Sequence, residues 1–127
     1  MSRIALFSLL VPDYDEAIAF FVEVLGFDLV EDRDEGHKRW VVVKPSGAET
    51  GIVLARADTP AQRAAMGNQL GGRVGFFLHT DDFARDHARM TAAGVRFHEE
   101  PRHEPYGTVA VWEDPWGNTW DLLEPAT

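Results

Sequence analysis

Val11-Pro12-Asp13-Tyr14-Asp15-Glu16-Ala17-Ile18-Ala19-Phe20-Phe21, running on to Leu25-Gly26-Phe27, decides the fold. The apolar run before it, residues 4–10, reads as a strand. Asp13 with Glu16 three residues later is a variant of the capping box, in which a carboxylate accepts a free N–H of the first helical turn. Ala17, Ile18, Phe21, Val24 and Leu25 then recur at helical spacing as one apolar face. Gly26 stands where a helix-ending glycine belongs. Three strands are expected next, over residues 27–31, Arg39–Lys44 and Gly51–Arg56, with Pro45-Ser46-Gly47 turning the chain between the last two.

The same order recurs downstream. Val74–His79 reads as a strand and Asp81-Asp82 as a helix start, with Phe83, His87 and Met90 on one face and Gly94 at the end. Residues 95–99, 108–113 and 119–123 are the three strands that follow, and Asp114-Pro115-Trp116-Gly117-Asn118 makes the last turn. Gly26 and Gly94 lie 68 residues apart, and βαβββ fits both sides of that offset. The expected class is α+β: one domain over residues 1–127, with halves at about 3–57 and 73–125. Residues 58–72 link them, Thr59-Pro60 suiting the start of a short helix. Two such units side by side would close into a curved mixed-sheet cup, whose concave face must be filled by side chains or by a ligand.

Composition narrows the functions. The chain has 127 residues, enough to bury roughly two-thirds of its unfolded surface. Twelve Lys and Arg stand against 21 Asp and Glu, a formal charge of -9, and no basic stripe is present, so nucleic acid is not an expected partner. No apolar run reaches the about 18 residues a membrane span needs, and Met1-Ser2-Arg3-Ile4 lacks a signal-peptide layout; the cytoplasm is the expected compartment. With no cysteine, disulfides, thiolate metal sites and thiol nucleophiles are all ruled out. The acidic run Glu31-Asp32-Arg33-Asp34-Glu35 reads as a solvated hairpin loop.

The motif from Val11 to Phe27, together with Thr80-Asp81-Asp82, Ala93-Gly94-Val95, Asp114-Pro115-Trp116-Gly117-Asn118 and Trp120-Asp121-Leu122, resembles the vicinal oxygen chelate superfamily. That group includes glyoxalase I, bleomycin-resistance proteins and extradiol dioxygenases. The resemblance implies the glyoxalase/bleomycin-resistance fold and a homodimer. It also implies, for metal-dependent members, a divalent ion held from the first and last strands of each half. Carried over residue by residue, those positions are Leu6, Gly75, about Leu54, and Asp121. Only Asp121 can bind a hard cation, far short of the three or more protein ligands usual at a catalytic metal. No cofactor is therefore expected, and a metal is not favoured.

Matching those positions to the cup also assigns its lining. Alternation along strands groups Leu6 with Ser8, and Gly75 with Phe77 and His79. Val109, Val111 and Asp121 point inward by the same parity, with Val41, Val43 and Leu54 assigned to the lining from the first half. Trp112, Trp120 and Leu122 would face the helices. Tyr106, at the entrance to a strand, offers a stacking face and a hydroxyl. Asp121 in an apolar cup would need a partner or a raised pKa, and His79 ends its strand nearby. His87 reads as a packed histidine, and His37, His98 and His103 as surface residues.

Two functions fit. The favoured one is a small-molecule binder of the bleomycin-resistance type, taking a hydrophobic or cationic aromatic compound, antibiotics included, without a metal. The alternative is a lyase, isomerase or dioxygenase with a noncanonical metal or acid/base pair at Asp121 and His79. Whether any reaction is catalysed stays open at this level.

Overall fold

The computed structural model describes all residues, 1–127, and divides into two compact units, Met1–Met66 and Gly67–Thr127. The boundary falls inside the expected linker. No helix is long and apolar enough to cross a membrane.

In the first unit, β1 (Leu6–Val11) leads into α1 (Tyr14–Ala19), then β2 (Asp28–Asp34), β3 (Arg39–Lys44) and β4 (Gly51–Arg56), followed by the short α2 (Pro60–Ala65). The sheet order is β1-β4-β3-β2, with β1 parallel to β4 and the other pairs antiparallel. Asp13 caps α1 as its spacing predicts, accepting the Glu16 N–H at 2.8 Å. The expected single helix instead widens over Phe20–Val24 into a π-helical turn, where the Leu25 N–H reaches the Phe20 carbonyl at 3.1 Å. Gly26 at φ +74° then lets the Phe27 N–H turn back to the Phe21 carbonyl at 2.8 Å.

Helix α1 packs against β3 and β4. Register places Leu9 beside Leu54 and Val43 beside Ile52, and all four are at most 4% exposed. Each fully buried Leu or Phe of this kind contributes about 1.5–3 kcal/mol, which makes that face the main stabiliser of the unit. The acidic run is not a loop. Glu31, Asp32, Arg33 and Asp34 belong to β2, because Arg39 on the partner strand donates to both Asp32 oxygens, at 3.2 and 2.8 Å, and to Asp15 at 2.9 Å. That fork offsets the local repulsion, and the hairpin turn moves to residues 35–38.

The second unit repeats the connectivity. β5 (Val74–His79) leads into α3 (Phe83–Ala92), then β6 (Arg96–Phe97), β7 (Arg102–Glu104), β8 (Gly107–Glu113) and β9 (Thr119–Pro125). The order is β5-β9-β8-β6, β7 also pairs with β8, and β5 is parallel to β9 as β1 is to β4. The strand expected over residues 95–99 shortens to two residues, and β7 is an unanticipated strand. Helix α3, capped by Asp82 at the Arg85 N–H, lies on β9. Met90 on it is fully buried. Phe76, Trp120, Trp112 and Phe97 are in register across four strands, with Trp112 and Trp120 stacked at 4.9 Å.

The turn between β8 and β9 is organised by one carboxylate. Asp114, 2% exposed, accepts the Trp116, Gly117 and Asn118 N–H groups at 3.0–3.1 Å through Oδ1. Its Oδ2 accepts from Asn118 Nδ2 at 2.8 Å and Trp120 Nε1 at 3.1 Å. Replacing Asp114 by Ala strands several buried donors at once, so Asp114→Ala is expected to lower stability by about 3 kcal/mol or more in chemical denaturation. A loss under about 1 kcal/mol would mean that water or a neighbour replaces the carboxylate.

Candidate functional site

Strand register in the second unit assembles a row of side chains on the sheet face opposite Phe76, Trp112, Trp120 and Leu122. Phe77 lies beside Asp121, which lies beside Val111. His79 lies beside Leu123, which lies beside Val109, and Val109 beside Arg102. Phe77 is 65% exposed and His79 is exposed. Val109 shares the row by register and is fully buried. The expected grouping of Phe77, His79, Val109, Val111 and Asp121, with the tryptophans on the other side, matches this register. Gly75 sits where the β5 register slips between Val74 and Phe76, and the Leu70 side chain occupies the space where a Cβ would be.

In the first unit the expected grouping is corrected. Leu6 and Ser8 are exposed and share their face with Gly51, Val53 and Val42, since Ser8 pairs with Val53 and Val53 with Val42. Leu54 pairs with Leu9, and Val43 with Ile52, so Leu54, Val43 and Val41 lie on the opposite, buried face. The run Val41-Val42-Val43 is apolar on both faces, and its composition carries no parity.

Asp121 is half-buried, and its Oδ1 is fully buried without a hydrogen-bond partner. Burial pushes its carboxyl above the ordinary carboxylate value; the positive charge of Arg102 pulls it back, and the negative charge of Glu99 adds to the rise. These two neighbours escaped the sequence reading. Glu99 accepts from Arg102 Nε at 2.7 Å and from the Val111 N–H at 2.8 Å, and the Arg102 contact leads the effects that hold Glu99 below its ordinary value. Arg102 also donates to Glu104 at 3.2 Å. Tyr106, 54% exposed, sits in the turn before β8. At the next residue, Gly107, a Cβ would collide with the Glu124 carbonyl, so the turn requires glycine. Nothing in the spacing of Glu99, Arg102 and Glu104 announces the cluster, because it depends on the unforeseen strand β7 folding back along β8.

No group of three or more His, Cys, Asp or Glu side chains is arranged to hold a metal ion. Leu6, Leu54 and Gly75 carry no donor side chain, so the residues at the metal positions do not fit a divalent ion. His87 stacks between Phe83 at 5.4 Å and Phe97 at 4.3 Å, as a packed histidine should. His98 pairs with Glu113 at 2.7 Å.

A family model described as the Glyoxalase/Bleomycin resistance protein/Dioxygenase superfamily matches residues 3–122. The chain belongs to that superfamily. Its connectivity, βαβββ in the first unit and the same pattern with the additional strand β7 in the second, is the mixed α+β arrangement of the glyoxalase/bleomycin-resistance fold. An uncharacterised protein of Shewanella frigidimarina (strain NCIMB 400) is 54% identical over 120 residues, covering 92% of this chain and 89% of its own. Among solved structures, TnmS3, an antibiotic binding protein from Streptomyces sp. CB03234, is 37% identical with a TM-score of 0.83, covering 99% of this chain and 98% of that one. A glyoxalase/bleomycin resistance protein from the same Streptomyces strain is 38% identical with a TM-score of 0.74, covering 95% and 99%.

The environment of Asp121 has a consequence for stability. A carboxyl whose folded pKa exceeds its unfolded value binds more protons when folded, so stability falls as pH rises between the two values. Asp121→Asn removes that penalty. The variant is expected to match or exceed the parent's stability at pH 7, with the difference shrinking as pH falls towards 4. Denaturation curves across that range check this, and a variant much less stable at pH 7 would mean that the ionised carboxylate has a stabilising partner.

Proposed function

We propose that this protein binds a small hydrophobic or cationic aromatic molecule, an antibiotic among the candidates, without a metal. The observation that carries the reading is the pairing of Phe77 with Asp121: an exposed ring on a sheet face, in register with a carboxylate that has a buried, unpartnered oxygen. An apolar surface with a few placed polar groups is the usual make-up of a small-molecule site. The likeness to an antibiotic binding protein at 37% identity over nearly the whole chain supports the same class of ligand. The proposal includes a homodimer, on the resemblance described above.

One observation favours a second reading. The raised pKa of Asp121 suits a group that exchanges protons, and His79 is offset from it by two residues on the adjacent strand. In that case the same face would carry out acid/base chemistry on its ligand.

Equilibrium dialysis against planar tricyclic aromatics separates these. The binder is expected to retain such compounds unchanged, and Phe77→Ser to weaken them about tenfold, the equivalent of one lost stacking contact of roughly 1.4 kcal/mol. Affinity unaffected by Phe77→Ser would remove the proposed face from the site. Conversion of a bound compound, abolished in Asp121→Ala, would favour the enzyme.

A further inference from the structure

We infer that the ligand of this face carries a cationic hydrogen-bond donor that pairs with Asp121, an inference that rests on the ligand-binding reading above. Three facts of geometry point the same way. First, Oδ1 of Asp121 is buried and has no partner, whereas the neighbouring carboxylates are engaged: Glu99 by Arg102 and the Val111 N–H, and Glu104 by Arg102. An oxygen buried without a donor is costly when the carboxylate is ionised, and a ligand cation at the accessible part of this half-buried carboxylate offsets that cost.

Second, Arg102, the cation whose charge acts on Asp121, is already used. Its guanidinium donates to Glu99 at 2.7 Å and to Glu104 at 3.2 Å. An anionic ligand would have to break these contacts to gain a counter-charge, and it would meet Asp121 and Glu99 in doing so. Asp121, Glu99 and Glu104 against Arg102 alone leave the cluster formally negative when all are ionised. Third, Phe77 flanks Asp121 in register and is 65% exposed, so one flat cation can lie against the ring while its N–H reaches the carboxylate.

The other titratable groups facing Asp121 are accounted for. His79 is exposed on β5, two residues along from Phe77. Glu113 on β8, two residues from Val111, is occupied by His98 at 2.7 Å and by Arg96 at 3.7 Å. The ionised form of Asp121 sets the sign of the pH effect. A cation binds the ionised carboxylate, so its affinity rises with pH until Asp121 is fully ionised in the free protein, and then levels.

The test compares three tricyclic probes at 0.15 M salt by equilibrium dialysis: 9-aminoacridine as the cation, anthracene-9-carboxylate as the anion, and 9-anthracenemethanol as the neutral reference. The parent is expected to bind the cation about 10- to 100-fold more tightly than the anion at pH 7.5, the range for one charged hydrogen bond. In Asp121→Asn that ratio should fall to within about threefold. Glu23→Gln, which removes the same charge from an exposed helical position, should keep the parent's ratio and so controls for the overall charge of -9. A melting curve on each variant confirms that it is folded. A preference that survives Asp121→Asn, or a parent that prefers the anion, overturns the inference while leaving the ligand-binding reading standing. Failure of all three probes to bind overturns that reading and the inference with it.

Discussion

The carboxylate of Asp114 is the fixed point of the second unit. Five donors from Trp116, Gly117, Asn118 and Trp120 converge on the two oxygens of this buried side chain. A turn held this way leaves β8 and β9 one register, with Val111 opposite Asp121 and Trp112 opposite Trp120. A slip of one residue would carry Asp121 to the helix side and a tryptophan to the open side. The chemistry of the exposed face is thus set by a group on neither face, through the geometry of a tight turn.

Parallel pairing of the first and last strands does the rest. In each unit an antiparallel ladder ends on a strand that pairs with the first strand of the unit, so residues far apart in the chain become neighbours. Phe77 and Asp121 are brought together in this way. The cluster beside them has a different origin. β7 folds back along β8 and places Arg102 opposite Val109, where it bonds both Glu99 and Glu104 and leaves Asp121 without a donor. One cation shared by several carboxylates in a half-buried setting cannot satisfy them all. Asp121, with the least contact and significant burial, keeps the deficit.

The absence of a metal-binding set has a simple chemical basis. At the positions the superfamily's metal-dependent members use, this chain has Leu6, Leu54 and Gly75, which offer no donor side chain, and a single carboxylate. The second sheet combines the exposed Phe77 ring with the polar cluster around Arg102.

The repeat, both helix starts, the glycine helix ends and most strands were legible in the sequence, because each rests on local physics: a capping carboxylate, a 3.6-residue period, a glycine at positive φ. From Val74 to Leu123 the strand faces were assigned through the superfamily resemblance, since Val109-Ala110-Val111-Trp112 is apolar throughout and carries no parity of its own. Parity was not legible through Val41-Val42-Val43, where both faces are apolar; there only pairing with β4 assigned Val41, Val43 and Leu54 to the buried side. The acidic stretch after Val30 looked like a loop until Arg39 supplied a counter-charge from the next strand. Glu99 and Arg102 had no local signal at all, because their role depends on how a short strand lies along its neighbour. Residue types and short-range spacing determined the helix starts and most strands, and the superfamily resemblance pointed to the ligand-poor metal positions; tertiary pairing decided which carboxylate lacks a partner, since hydrogen-bond satisfaction depends on neighbours that chain order does not specify.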